Sequence, residues 1–142
     1  MTVVLDTNII MDALQERLPF DIEAKEILKR SQGGKEFTSL FTANTAADIF
    51  YLYRKSHDIK SAKAALTFLI DNYGVVTVAQ DDCKAALTQP IEDFEDALLV
   101  VCAQKSGAEY IITRDEKLLK ADSPVKLVSP RGFLDMLDRV SV

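Results

Sequence analysis

Four aspartates far apart in the chain carry the chemical interest of this sequence. Asp6 directly follows the strand-like run Thr2-Val3-Val4-Leu5, and Asp115 follows a second such run, Tyr110-Ile111-Ile112-Thr113, by two residues. Asp96 opens a strongly apolar helical stretch, and Asp48 stands among Ala46, Ala47, Ile49 and Phe50. In open α/β sheets ligands bind beyond the carboxyl ends of the strands, where loops and helix N-termini converge over a rigid base. If the strands before Asp6 and Asp115 are neighbours, their carboxylates meet there. Two carboxylates about 4 Å apart repel by roughly 4 kcal/mol at an effective dielectric near 20, so such a cluster calls for a cation. An all-oxygen donor set favours Mg²⁺ or Mn²⁺ over Zn²⁺, and Mg²⁺ keeps waters that supply a nucleophile and contact phosphate.

Asp96 and Asp48 each have a plainer reading beside the chemical one. Asp93-x-x-Asp96 is similar to a capping box, in which Asp93 serves as N-cap and Asp96 as its first-turn partner. The first turn also favours an ionised carboxylate through the helix dipole. Asp is a middling helix former, and Asp48 lies either on the solvent face of an amphipathic helix or in a site; the pattern alone leaves both open.

The elements that must position these residues alternate regularly. The first strand, 2–5, is a continuous apolar run of the kind buried on both faces. Helices are expected at 8–14 and 20–31, the second with an apolar stripe of Ile22, Ala24, Ile27 and Leu28 and a stop at Gly33-Gly34. A second strand at 36–40 precedes a helix capped by Thr42 or Asn44 and ending near Lys55. Asp58 caps a helix at 59–73 with Ala62, Ala65, Leu66, Leu69 and Ile70 as its stripe and Gly74 as its stop. A third strand at 75–78, a helix at 81–88, and a helix from Asp93 to Ser106 ended by Gly107 follow. The fourth strand at 110–113, a short helix through Leu119, a fifth strand at 125–128 and a helix after Pro130 close the chain. This order predicts one α/β domain over residues 1–142, with a parallel sheet and helices on both faces.

Composition narrows the function. The 142 residues fit one core, and 48% hydrophobic with 27% charged residues is ordinary for a soluble globular protein. No apolar run approaches the roughly 20 residues of a membrane span, and no export signal stands at the N-terminus, so a cytoplasmic location is expected. The net charge of −5 excludes a protein that coats nucleic acid through a broad basic surface. It does not exclude a nuclease, whose acids hold a metal that meets the phosphate. Cys83 and Cys102 lack CxxC spacing and read as small buried hydrophobes. The single histidine, His57, sits in a polar connection, which excludes a histidine-pair nuclease and a histidine zinc site. There is no GxxxxGK[ST] phosphate loop and no GxGxxG turn. A phospho-acceptor receiver domain also starts with an Asp after its first strand, but the third strand here ends Val78-Ala79-Gln80, without the Asp such domains need.

Three segments together resemble a known family. Val4-Leu5-Asp6-Thr7-Asn8, Asp96-Ala97-Leu98 and Ile112-Thr113-Arg114-Asp115 occur in the order and at the strand and helix ends of the PIN domains, particularly the toxin nucleases of the VapC type. Each tripeptide alone is weak; the ordered set is specific, and the resemblance covers nearly the whole chain. Many of these proteins carry Glu in the third helix. Thr45-Ala46-Ala47-Asp48-Ile49-Phe50-Tyr51 is similar to a branch with Asp there, whose shorter side chain reaches a metal through water.

The resemblance implies a five-stranded parallel sheet and Mg²⁺- or Mn²⁺-dependent hydrolysis of RNA phosphodiesters. Asp6, Asp96 and Asp115 would bind the metal or its waters, with Asp48 as fourth acid. Thr7, Asn8, Asp93 and Thr113 would orient them. Arg114, Arg54 and Lys55 are the candidate RNA contacts, although basic residues at a helix C-terminus also answer the dipole. It further implies the toxin of a type II toxin–antitoxin pair: a homodimer acting on tRNA or another structured RNA and blocked by a cognate antitoxin. A housekeeping PIN nuclease has the same chemistry. The alternative from another class is a non-catalytic RNA-binding or assembly module that keeps the fold.

Overall fold

The computed structural model describes residues 1–140. Five strands form one all-parallel sheet: β1 (Thr2–Leu5), β2 (Thr38–Thr42), β3 (Gly74–Val76), β4 (Tyr110–Ile112) and β5 (Lys126–Val128). Eight α-helices connect and cover them: α1 (Thr7–Leu14), α2 (Asp21–Ser31), α3 (Ala43–Ser56), α4 (Ile59–Asn72), α5 (Gln80–Ala86), α6 (Phe94–Lys105), α7 (Glu116–Leu119) and α8 (Pro130–Val140). The sheet order is β3-β2-β1-β4-β5. The expected single α/β domain with helices on both faces is therefore the observed architecture.

The apolar run of β1 takes the centre of the sheet, where both faces are covered. Val3, Val4 and Leu5 are fully buried. Because side chains alternate along a strand, Val3 and Leu5 join Ile112, Ile9 and Phe133 on one face, while Val4 joins Ile111, Val100 and Leu118 on the other. Chain order runs outward from β1 through β2 to β3, then returns to β4 on the opposite side of β1. The connections thus diverge between β1 and β4, which opens a crevice at the carboxyl ends of those two strands.

Several boundaries differ from the pattern-based expectation. The second strand lies at 38–42 rather than 36–40. Phe37, buried in the core, takes the place of a strand residue in the preceding turn, and pairing begins at Thr38 opposite Thr2. The third strand starts at Gly74 and ends at Val76. Gly74 does more than stop the helix, because a Cβ there would come within 2.4 Å of Leu40 Cδ2 on the paired strand. Ile22 and Ile70, expected within apolar stripes, are 70% and 50% exposed. The short helices α2 and α4 bury only a narrow face, which Ala24, Ile27 and Leu28 or Ala62 and Leu69 already fill.

Capping follows the residue chemistry closely. Thr42, rather than Asn44, caps α3 by accepting from the Thr45 amide at 3.0 Å, and Asp58 caps α4 through the Ser61 amide at 2.7 Å. Gly107 adopts φ +70° just past α6. Cys102 is buried, Cys83 half-buried, and both are free thiols. His57 is exposed and stacks on Tyr53. Among the described residues no helix is long and apolar enough to cross a membrane.

Candidate active site

β1 and β4 are hydrogen-bonded neighbours, with Leu5 opposite Ile112, and the Asp6 amide extends the ladder by donating to the Ile112 carbonyl at 3.0 Å. This adjacency brings Asp6 and Asp115 to one mouth. Asp6 ends its strand as the N-cap of α1: Oδ1 accepts from the Thr7 amide at 2.8 Å. Its Oδ2 accepts from the Thr113 hydroxyl at 2.8 Å and from Asn8 Nδ2 at 3.2 Å. The fully buried Thr113 oxygen in turn accepts from the Asp115 amide at 3.1 Å. Asp115 caps α7, with Oδ1 accepting from the amides of Lys117 and Leu118. The residues expected to orient the acids are thus tied to them in one network.

Asp96 and Asp48 complete the cleft from other elements. Asp93 caps α6 through the Asp96 amide at 3.0 Å, which fixes the turn from which Asp96 projects. One polar cavity is lined by Asp6, Thr7, Asn44, Asp48, Glu95 and Asp96. It adjoins a wider one, of about 380 Å³, that touches Asp6, Asp48, Asp93, Asp96 and Asp115 together. The helix that carries Asp48 is anchored to the start of α1, since Thr7 Oγ1 lies 3.0 Å from Thr45 Oγ1, which also accepts from the Thr42 hydroxyl.

Crowding of carboxylates shows in their proton affinities. Asp96 is pushed up to about 6, first by removal from water and then by the charges of Asp93, Asp6, Asp115 and Glu95. Asp6 is raised by burial, against the lowering effect of its bonds from Thr113 and Thr7. Asp48 is raised by burial, and Glu95 by burial and by Asp48, Asp93 and Asp6, with a bond from Asn44 acting the other way. A cluster that holds protons this firmly is one a cation would discharge. The donor set is all oxygen, which suits Mg²⁺ or Mn²⁺. Among the described residues, however, no three acidic, histidine or cysteine side chains are placed to hold one ion directly. Mg²⁺ commonly keeps several waters and takes only one or two carboxylates directly, so it does not require such a trio.

A sequence-family model described as "PIN domain" matches residues 2–117. The chain belongs to the PIN-domain family. Known structures share the fold of this PIN domain at low identity. VapBC2 from Rickettsia felis, bound to a DNA fragment from its promoter, aligns with TM-score 0.70 and 17% identity over 91% of this chain and 98% of that one. A toxin–antitoxin complex from Klebsiella pneumoniae gives 0.68 and 21% over 90% and 97%. VapC20 from Mycobacterium tuberculosis, a toxin that cleaves the sarcin–ricin loop, gives 0.65 and 13% over 84% and 96%. A sequence search of curated proteins found no match.

The cations of this PIN domain are placed differently from the acids. The Arg114 guanidinium grips the buried Asp12 at 2.6 and 3.0 Å and lies 4.1 Å from the centre of the Phe20 ring, so α1 and the turn before α2 hold it. Lys55 lies over Tyr51, and neither Arg54 nor Lys55 lines the acidic cavities. Glu95, Arg17, Asn44 and Thr45 also line this region, though none was expected in the site from the sequence. Glu95 was legible as a first-turn acid beside Asp96; Arg17, which reaches the wider cavity from a loop, left no periodic signal.

Proposed function

We propose that this PIN domain is a Mg²⁺- or Mn²⁺-dependent endoribonuclease and the toxin of a type II toxin–antitoxin pair. The observation that carries the reading is the meeting of Asp6, Asp48, Asp96 and Asp115, from four separate parts of the chain, at one cleft beyond the strand ends. Fold likeness to VapBC structures supports a cognate antitoxin as partner, and the neighbour described as cleaving the sarcin–ricin loop supports a structured RNA, such as a tRNA or a ribosomal stem-loop, as substrate. A homodimer acting in the cytoplasm belongs to the same reading.

In this mechanism Asp6, Asp96 and Asp115 would hold the metal, directly or through water, with Asp48 as the fourth acid. When bound, the ion lowers the pKa of a coordinated water and neutralises charge that grows on the phosphate. The rest falls to the chain itself. Thr113 and Asn8 aim the Asp6 carboxylate by donating to Oδ2, and the Thr7 amide fixes Oδ1. Asp93 holds the first turn of α6, so that the Asp96 carboxyl faces the cleft. Asn44 restrains Glu95 at the rim.

Incubation of a labelled structured RNA with the protein and Mn²⁺ tests this reading, with Asp6→Asn and Asp96→Asn as controls. Cleavage by the wild type alone is expected; equal cleavage by all three would reject the assignment. A second reading, a non-catalytic RNA-binding module, draws on the lack of three side chains positioned to hold an ion directly among the described residues. RNA binding without cleavage by any of the three proteins would favour it.

A further inference from the structure

A third cavity, of about 180 Å³, lies beside Asp96, lined by the segment before α6 and by residues of and just after α7. It shares Asp93 and Asp96 with the acidic cleft, so the two spaces are neighbours on either side of shared carboxylates. Its character is different. Pro90, Ile91, Leu118 and Ala121 give it apolar walls, and the one cation on its lining is Lys117. Leu118 is buried and packs with Ile91 and Ala121 in the core cluster under β4, so the walls are part of the rigid core. Lys117 is placed by the cap of α7, since its amide donates to Asp115 Oδ1 at 2.9 Å. None of the ion pairs among the described residues engages its ammonium, so it is free for an anion.

We propose that this cavity is a nucleobase subsite beside the reactive phosphate, with Lys117 on the adjoining phosphate and Glu92 and Asp93 reading the edge of the base. The proposal rests on the nuclease reading above. Three observations carry it: a cavity of about 180 Å³ with apolar walls, lining residues shared with the acidic cleft, and a lone cation on an otherwise acidic rim. Base faces pack on apolar or aromatic walls with little regard for sequence, so the walls alone select no base. The rim does. Glu92 and Asp93 are exposed carboxylates that only accept hydrogen bonds, and only one Asp93 oxygen is occupied by the Asp96 amide. Acceptors of this kind favour an edge rich in N–H donors, as in guanine, over uracil, whose edge offers one donor between two acceptors.

Binding is read without catalysis in the Asp6→Asn protein, by titrating guanosine and uridine 5′-monophosphates and following backbone amide shifts by NMR. Shifts at Ile91, Glu92, Leu118 and Ala121 with guanosine monophosphate are expected, at an affinity above that for the uridine nucleotide. Lys117→Ala should weaken both nucleotides about tenfold, the loss of one charge-assisted hydrogen bond. Glu92→Gln, an exposed change that leaves packing alone, should narrow the difference between the two. Shifts confined to other surfaces, or equal affinities that neither variant alters, would overturn the subsite. If wild-type protein cleaves RNA with Mn²⁺ while this cavity stays silent, the subsite fails and the nuclease stands. If the cavity binds guanosine monophosphate but no RNA is cut, the nuclease reading fails and the nucleotide site stands.

Discussion

Thr113 does three things with one hydroxyl: it donates to Asp6, and it accepts from the Asp115 amide and, at 3.4 Å, from Asn8. Groups that orient metal-binding carboxylates typically contribute about 10- to 100-fold to metal affinity or activity. Thr113→Val keeps the shape and removes the bonds, and a loss of that size in Mn²⁺ affinity is expected by calorimetry. Asp96 sets the pH behaviour of the metal-free fold. Its folded value of about 6 lies above the ordinary 3.8, so the folded chain holds this proton more tightly than the unfolded chain. Below about pH 4 both forms are protonated and the group contributes nothing; between about 4 and about 6 the unfolded chain releases the proton first, and stability falls as pH rises. Above that the penalty is constant, and solvent screening of this partly exposed group keeps it small. Asp96→Asn removes it. The variant is expected to melt higher than the wild type without metal at pH 8 and to gain nothing from Mn²⁺. A lower metal-free melting temperature would contradict the repulsion described here.

At the scale of elements, the site depends on α1 being tied to the loop after β4. Asn8, Asp6 and Asp12 all lie at the start of or along α1, and all reach residues 113–114. Asp12 is 1% exposed, so its carboxylate depends on Arg114, with Arg17 more distant at 3.8 Å. Removing one partner of a buried pair leaves an uncompensated charge and costs about 3–5 kcal/mol; the partial exposure of Arg114 points to the lower end. Arg114→Ala is therefore expected to lose about 3 kcal/mol in urea unfolding, more than a surface RNA contact would cost. A change under about 0.5 kcal/mol, the range of ordinary surface substitutions, would show that the pair holds nothing. The strand-end acids and the helix caps were legible because they depend on local residue types: an apolar run stopped by Asp, or Asp three residues before an apolar stretch. Arg114 was not. Nothing in Thr113-Arg114-Asp115 tells that the guanidinium turns toward a buried acid on α1 rather than toward RNA, since that partner is 102 residues away.

At the scale of the whole molecule, alternation of strand and helix predicted a parallel sheet, and the family motifs predicted five strands. The order β3-β2-β1-β4-β5 needed pairing between β1 and β4, which periodicity does not encode. That adjacency brings Asp6 and Asp115 to one mouth, which Asp96 on α6 and Asp48 on α3 complete, with the apolar cavity beside Asp96 adjoining it. On the proposed reading, a chain with net charge −5 would meet RNA through a metal and a few local cations rather than through a basic surface. Calorimetric titration of Mn²⁺ into the metal-free wild type, Asp6→Asn and Asp96→Asn tests this convergence most directly. Saturable binding by the wild type that is lost in both variants is the predicted result. Identical binding in all three proteins, or none in the wild type, would contradict it.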